Sequence, residues 1–182
     1  GSEPQPITPE LSMRYGDGII DRQRQRIICV CEDHTQQGKE ATNTIVAVNL
    51  RENLAENNNP QVLVSGNDFY IAPRLSADGK YLAWLTWNHP NMPWDSAELW
   101  VATVQADGSI ADAQKIAGGL DESAAQPQWS NDGTLYFIWE KTGWWNLYSW
   151  QQGKVENLTP IQAEFGKPQW SLGSSTYTIE SL

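Results

Sequence analysis

Two histidines, His34 and His89, are the side chains in this sequence best suited to moving a proton near neutral pH. His89 shares a loop with Asp95 and Glu98, the grouping that a carboxylate-oriented general base would use. A base needs a nucleophile, and none accompanies it. A Gly-x-Ser-x-Gly elbow is absent, and Gly173-Ser174-Ser175 has neither its spacing nor a helix pattern after it. The favoured reading is therefore that His89 and Asp95 stiffen a proline-rich loop by local hydrogen bonds. His34, next to Glu32 and Asp33, reads as a solvated strand end. The carboxylate pairs Asp121-Glu122 and Glu32-Asp33 are the raw material of glycoside hydrolysis, but nothing else in the chain supports that chemistry. Cys29 and Cys31 would point to the same face of a strand, badly placed to bond each other, and no second Cys or His pair completes a metal site. They read as buried thiols in a reducing, cytoplasmic setting. No catalytic residue, metal site or cofactor is expected.

Composition narrows the partners. The formal net charge is −10, which argues against nucleic acid or an anionic membrane. No apolar run approaches the roughly 20 residues that span a bilayer. Gly1-Ser2 reads as a cloning remnant with no export signal after it, and the sequon Asn157-Leu158-Thr159 is discounted because Pro160 follows. Ten tryptophans and a scatter of 14 glycines and 10 prolines point to many strands joined by turns.

The elements that would carry these residues repeat. Pro73-Arg74-Leu75-Ser76-Ala77-Asp78-Gly79 returns as Pro127-Gln128-Trp129-Ser130-Asn131-Asp132-Gly133, and in part as Pro168-Gln169-Trp170-Ser171. The spacings are 54 and 41 residues, close to the period of propeller blades. Asp-Gly between apolar runs marks a tight hairpin, and the preceding serine can bond the turn backbone. Each copy is followed by a second strand, a loop, a third strand (Glu98–Ala102; Asn146–Trp150) and a fourth (Ala113–Ile116; Lys154–Asn157). An earlier, divergent unit holds Ile27–Cys31, Thr44–Val48 and Val62–Val64. The segment Leu50–Asn59 reads as a loop, and the pattern predicts no helix.

The predicted fold is all-β, a β-propeller segment of about three and a half four-stranded blades. Its expected divisions are 1–12, the exit of a preceding blade; then blades at 13–68, 69–120 and 121–162; and a partial blade at 163–182, with strand character near Thr176–Ile179. Trp84, Trp100, Trp129, Trp150 and Trp170 are expected in the core between blades. Trp87, Trp94, Trp144 and Trp145 flank or occupy loops, either as exposed interface aromatics or as side chains folded back onto blade edges. A segment whose end blades lack neighbours is also expected to self-associate.

The run Leu85-Thr86-Trp87-Asn88-His89-Pro90-Asn91-Met92-Pro93-Trp94-Asp95, with Glu98-Leu99-Trp100 after it, resembles the propeller of prolyl oligopeptidase family serine peptidases. The acylaminoacyl peptidase and dipeptidyl aminopeptidase-like branch is the nearest. Cys31-Glu32-Asp33-His34, Thr142–Tyr148 and Ala163-Glu164-Phe165-Gly166 extend the likeness. The resemblance implies a propeller that caps a C-terminal α/β-hydrolase domain and gates peptide access to it. It implies a serine triad on that domain and on no residue here. A TolB-like module that binds a protein partner is the alternative, and a carbohydrate-acting propeller a third. On the first reading, loops 33–43, 88–96 and 141–145 leave one side of the blades. They gather His34, His89, Trp94, Asp95, Trp144 and Trp145 as the candidate interface or gating surface.

Overall fold

A serine and an aspartate close the turn in both full copies of the repeat. Ser76 Oγ donates to Asp78 Oδ1 at 2.7 Å, and Ser130 Oγ donates to Asp132 Oδ1 at 2.5 Å. The backbone N–H of Lys80 and of Thr134 donates to the same carboxylates at 3.1 and 3.0 Å. Gly79 and Gly133 supply the left-handed conformation at φ 68° and 83°. The hydrogen bonds, led by those from Ser76 and Ser130, hold both carboxyls below the usual range.

The computed structural model describes residues 3–50 and 58–180. Gly1-Ser2 and 51–57, most of the expected 50–59 loop, lie outside the described residues. Three antiparallel four-stranded sheets follow in chain order. The first holds β1 (Met13–Asp21), β2 (Arg26–Asp33), β3 (Thr42–Asn49) and β4 (Gln61–Val64). The second holds β5 (Phe69–Leu75), β6 (Tyr81–Trp87), β7 (Glu98–Val104) and β8 (Ile110–Ala117). The third holds β9 (Ala124–Trp129), β10 (Leu135–Trp139), β11 (Asn146–Gln151) and β12 (Lys154–Asn157). This is blade architecture, all-β apart from one short turn. That turn corrects the expectation of no helix: α1 (Pro93–Ser96) forms where Pro93 starts the helical run and the Asp95 carboxylate accepts the Met92 N–H at 3.0 Å.

The first strand of every sheet carries a bulge whose residue is left-handed: Asp17 at φ 50°, Ala72 at 54° and Gln126 at 54°. Two of these interruptions carry ties, Asp17 to the second sheet and Gln126 to the C-terminal segment. Asp17 accepts the Ala72 N–H at 2.7 Å and Arg74 Nη1 at 3.1 Å, and Gln126 Oε1 accepts the Thr176 N–H at 2.7 Å.

Apolar layers fill the space between the sheets. Ile28, Ile45 and Ala47 of the first sheet meet Tyr70, Leu82 and Trp84 of the second. Leu85, Leu99 and Val101 meet Phe137, Trp139 and Tyr148 of the third. At the far side of the blades a polar staple joins the first two sheets. Buried Arg26 donates from Nε to buried Asp21 at 2.9 Å and from Nη1 to the Gly108 carbonyl at 2.8 Å. Arg24 donates to Asp21 and to the carbonyls of Gly79 and Gln105, each at 3.2 Å.

Of the five tryptophans expected between blades, Trp84 and Trp150 are buried, while Trp100 and Trp129 are half-buried. Trp129 packs on Tyr81 and Trp150, with centroids 6.0 Å away in each case, and its indole N–H donates to the Arg74 carbonyl at 3.0 Å. Trp129→Ala is expected to cost about 2–3 kcal/mol, below the value for a fully buried Trp. A denaturation midpoint equal to the parent's would show that the slot contributes no packing. Trp170 corrects the expectation: it is 75% exposed. Residues 158–180 contain no strand, so the third motif copy has no neighbouring ladder to seat its tryptophan. The segment lies on the third sheet instead, with the Tyr177 hydroxyl reaching the carbonyls of Gln126 at 2.5 Å and Tyr136 at 2.9 Å.

Cys29 and Cys31 are free and buried among Val46, Val48, Met13 and Tyr15. Burial, then the charge of Cys31, pushes the Cys29 thiol up to about 11. Since the thiolate is the reactive species, both thiols are expected to resist a disulfide reagent at pH 8 and to react fully in denaturant. Fast labelling of the native protein would contradict this burial.

Candidate interaction face

Antiparallel strands return the chain to the same side after every second element. The β2–β3, β6–β7 and β10–β11 loops therefore leave one side of the three sheets, and their side chains meet along it. His89 Nε2 of the second loop stands 3.7 Å from Glu40 Oε2 of the first. His34 Nε2 stands 3.2 Å from Glu32 Oε2. Both imidazoles line one cleft of about 610 Å³ between the first and second sheets, with Asn67, Asp68 and Phe69 at its wall. Phe69 meets the edge of the His89 ring at 4.8 Å.

The second and third loops also touch. Trp94 packs in the cluster of Ala125, Ile138 and Trp145, which Phe165 and Tyr177 complete. Trp145 is 7% exposed, so it supports the face from beneath and does not present a surface; Trp144 beside it is half-buried. Trp94 packs at a tilt on Trp170 with centroids 4.3 Å apart, which makes an aromatic pair open to solvent on the Trp170 side. Next to it, burial, with the neighbouring charges of Glu164 and Asp95, pushes the Glu140 carboxyl up. The Glu164 carboxylate accepts the Trp145 N–H at 2.8 Å.

The loop side thus carries His34, His89, Trp94, Asp95 and Trp144 at its surface, with Trp145 below. Asp95 does not orient His89. It closes α1, as a loop-stiffening carboxylate would, and His89 turns to Glu40. Among the described residues neither imidazole is bonded to a hydroxyl or thiol, and no cluster of three His, Cys, Asp or Glu residues could hold a metal ion. What the face offers is aromatic rings and carboxylates, groups suited to recognition. Glu40, Glu140, Glu164 and Trp170 join this face without having been singled out from sequence. Glu40 and Glu164 lie in stretches already marked. Trp170 was assigned to the core by analogy with Trp129.

No protein-family profile and no curated protein matches the chain. Solved structures do. A puromycin-hydrolysing peptidase of Mycobacterium tuberculosis superposes with a TM-score of 0.84 at 37% identity, over 94% of this chain and 28% of that one. A puromycin hydrolase gives 0.85 at 34% identity, over 95% and 28%. Prolyl oligopeptidase B from Galerina marginata gives 0.63 at 12% identity, over 83% and 22%, a likeness of fold alone. The chain spans little more than a quarter of the two puromycin-hydrolysing proteins. No helix among the described residues is long and apolar enough to cross a membrane.

Proposed function

From the match of this chain to the propeller portion of prolyl oligopeptidase-family peptidases, we propose that it is a non-catalytic cap. It packs its loop face on an α/β-hydrolase domain of the same polypeptide and gates the entry of peptides. The observation that carries the reading is that the loops sharing one side of the sheets bring together aromatic and acidic side chains, His34 and His89 beside Glu32 and Glu40, and Trp94 beside Trp145. Such a grouping suits a docking surface that also attracts a peptide amine. The free, buried thiols favour a reducing, cytoplasmic setting.

Two results test it. The chain alone is expected to hydrolyse no aminoacyl or acyl-peptide chromogenic substrate. Turnover blocked by a serine-reactive inhibitor would refute a non-catalytic role. A chimera in which this chain replaces the matched stretch of the Mycobacterium tuberculosis peptidase is expected to turn over peptides. Trp94→Ala with Trp144→Ala should change its kcat/KM or its domain association while the propeller stays folded. Kinetics and association unaltered by the pair would reduce the loops to scaffold.

A further inference from the structure

The cleft between the first and second sheets does not end at the histidines. It shares Glu32, Asn43 and Phe69 with a second chamber of about 330 Å³ that runs inward beside β1 and β5. The two chambers differ in chemistry. The outer one is edged by Glu32, Glu40 and Asp68 against the single Lys39, apart from the two histidines. The inner one is walled by Tyr15, Val30, Tyr70, Ile71 and Trp87, with Gly16 leaving one wall bare and with Arg14, the register partner of Glu32, at its polar margin. One aliphatic side chain already lies against that bare wall. Leu172 comes within 3.4 Å of where a Cβ on Gly16 would stand, while remaining 55% exposed.

We infer that this two-chamber cleft binds a peptide segment carrying a leucine or aromatic side chain next to a positive charge. The apolar side chain enters the chamber beside Gly16, and the cation meets Glu32, Glu40 and Asp68. Charge complementarity selects the cation in a chain of net charge −10. The inner chamber selects the apolar group, because it offers aromatic and aliphatic walls and the chain's own Leu172 seats at its margin. Two walls from two sheets, tied by Asn43 Nδ2 donating to the Asp68 carbonyl at 2.6 Å, hold the chambers in a fixed relation. The outer chamber belongs to the loop face that the capping reading turns toward the hydrolase domain, but every wall of the cleft comes from this chain, so the inference is tested on the chain alone.

Isothermal titration of the 182-residue chain with three acetylated, amidated tetrapeptides tests it: Gly-Lys-Leu-Gly, Gly-Glu-Leu-Gly and Gly-Lys-Ser-Gly. The first is expected to bind about fivefold more tightly than the second, as for a partly exposed ion pair. It should bind at least about tenfold more tightly than the third, as for burial of one leucine side chain. Glu40→Gln should shrink the lysine preference and leave the leucine preference. Gly16→Leu, which fills the chamber from its bare wall, should abolish the leucine preference and leave the lysine preference. Val30→Phe narrows the same chamber from the paired strand and serves if Gly16→Leu does not fold. Equal affinity for the three peptides, no binding at millimolar concentration, or a leucine preference that survives a folded chamber-filling variant would overturn the inference. A failed capping chimera would leave these outcomes untouched.

Discussion

Asp21→Ala is expected to lower the free energy of unfolding by about 3–5 kcal/mol, the cost of breaking a buried ion pair from one side. Asp21 is fully buried and Arg26 is 4% exposed, and the carboxylate serves both Arg26 and Arg24. Removing it strands two guanidinium groups against a layer of backbone carbonyls. Arg24 Nε and Arg26 Nη2 are already buried without a hydrogen-bond partner among the described residues, so the staple has no spare acceptor to take up the loss. Arg26→Ala should cost less, since Arg24 still faces Asp21 and can partly reach water. Chemical denaturation of the two single variants and of the double variant measures the coupling. An Asp21→Ala midpoint within error of the parent would mean that the staple is decorative and that apolar packing alone joins the sheets, and additive losses would mean that Asp21 and Arg26 are not coupled.

Phe137→Ala is expected to cost about 3–5 kcal/mol, a large fraction of the stability of an ordinary domain. The ring is fully buried at the centre of the layer between the second and third sheets. It stacks on Tyr148 at 5.9 Å and tilts against Trp139 at 6.3 Å. Those neighbours belong to its own sheet, where the ladder fixes their backbones, so the cavity cannot close by sliding a strand. Phe137→Leu keeps most of the volume and should lose under about 1.5 kcal/mol. If both variants melt alike, the layer is soft enough to collapse, and the packing described here is not rigid.

The repeat made most of this fold legible. Asp78-Gly79 and Asp132-Gly133 mark their hairpins because aspartate, serine and glycine each do one job in the turn. The first strand, β1, escaped the reading. Gly16, Asp17 and Gly18 interrupt its alternation, and the reason is the bulge at Asp17. The helical turn at Pro93–Ser96 escaped too, because four residues are too few to show a period. The candidate face was legible as loops and not as surface. Sequence left Trp145 open between an exposed interface and a side chain folded back on the blades, and it is the second that holds: the ring lies under the loop in a core of its own. Sequence placed Trp170 by analogy with Trp129, although a tryptophan is buried only where a neighbouring strand supplies a wall.

The bulges have a consequence for copying by templating. A first strand in a sheet presents one unpaired edge, and a flat edge recruits any extended chain that meets it. At Asp17, Ala72 and Gln126 the backbone turns left-handed in the middle of that edge, so an incoming strand finds a regular ladder for only a few residues on either side. The Ala72 N–H, a donor that an incoming strand would need, is already held by Asp17 of the preceding sheet. The irregularity that ties the first sheet to the second also makes the row of inner edges a poor seed for fibrils.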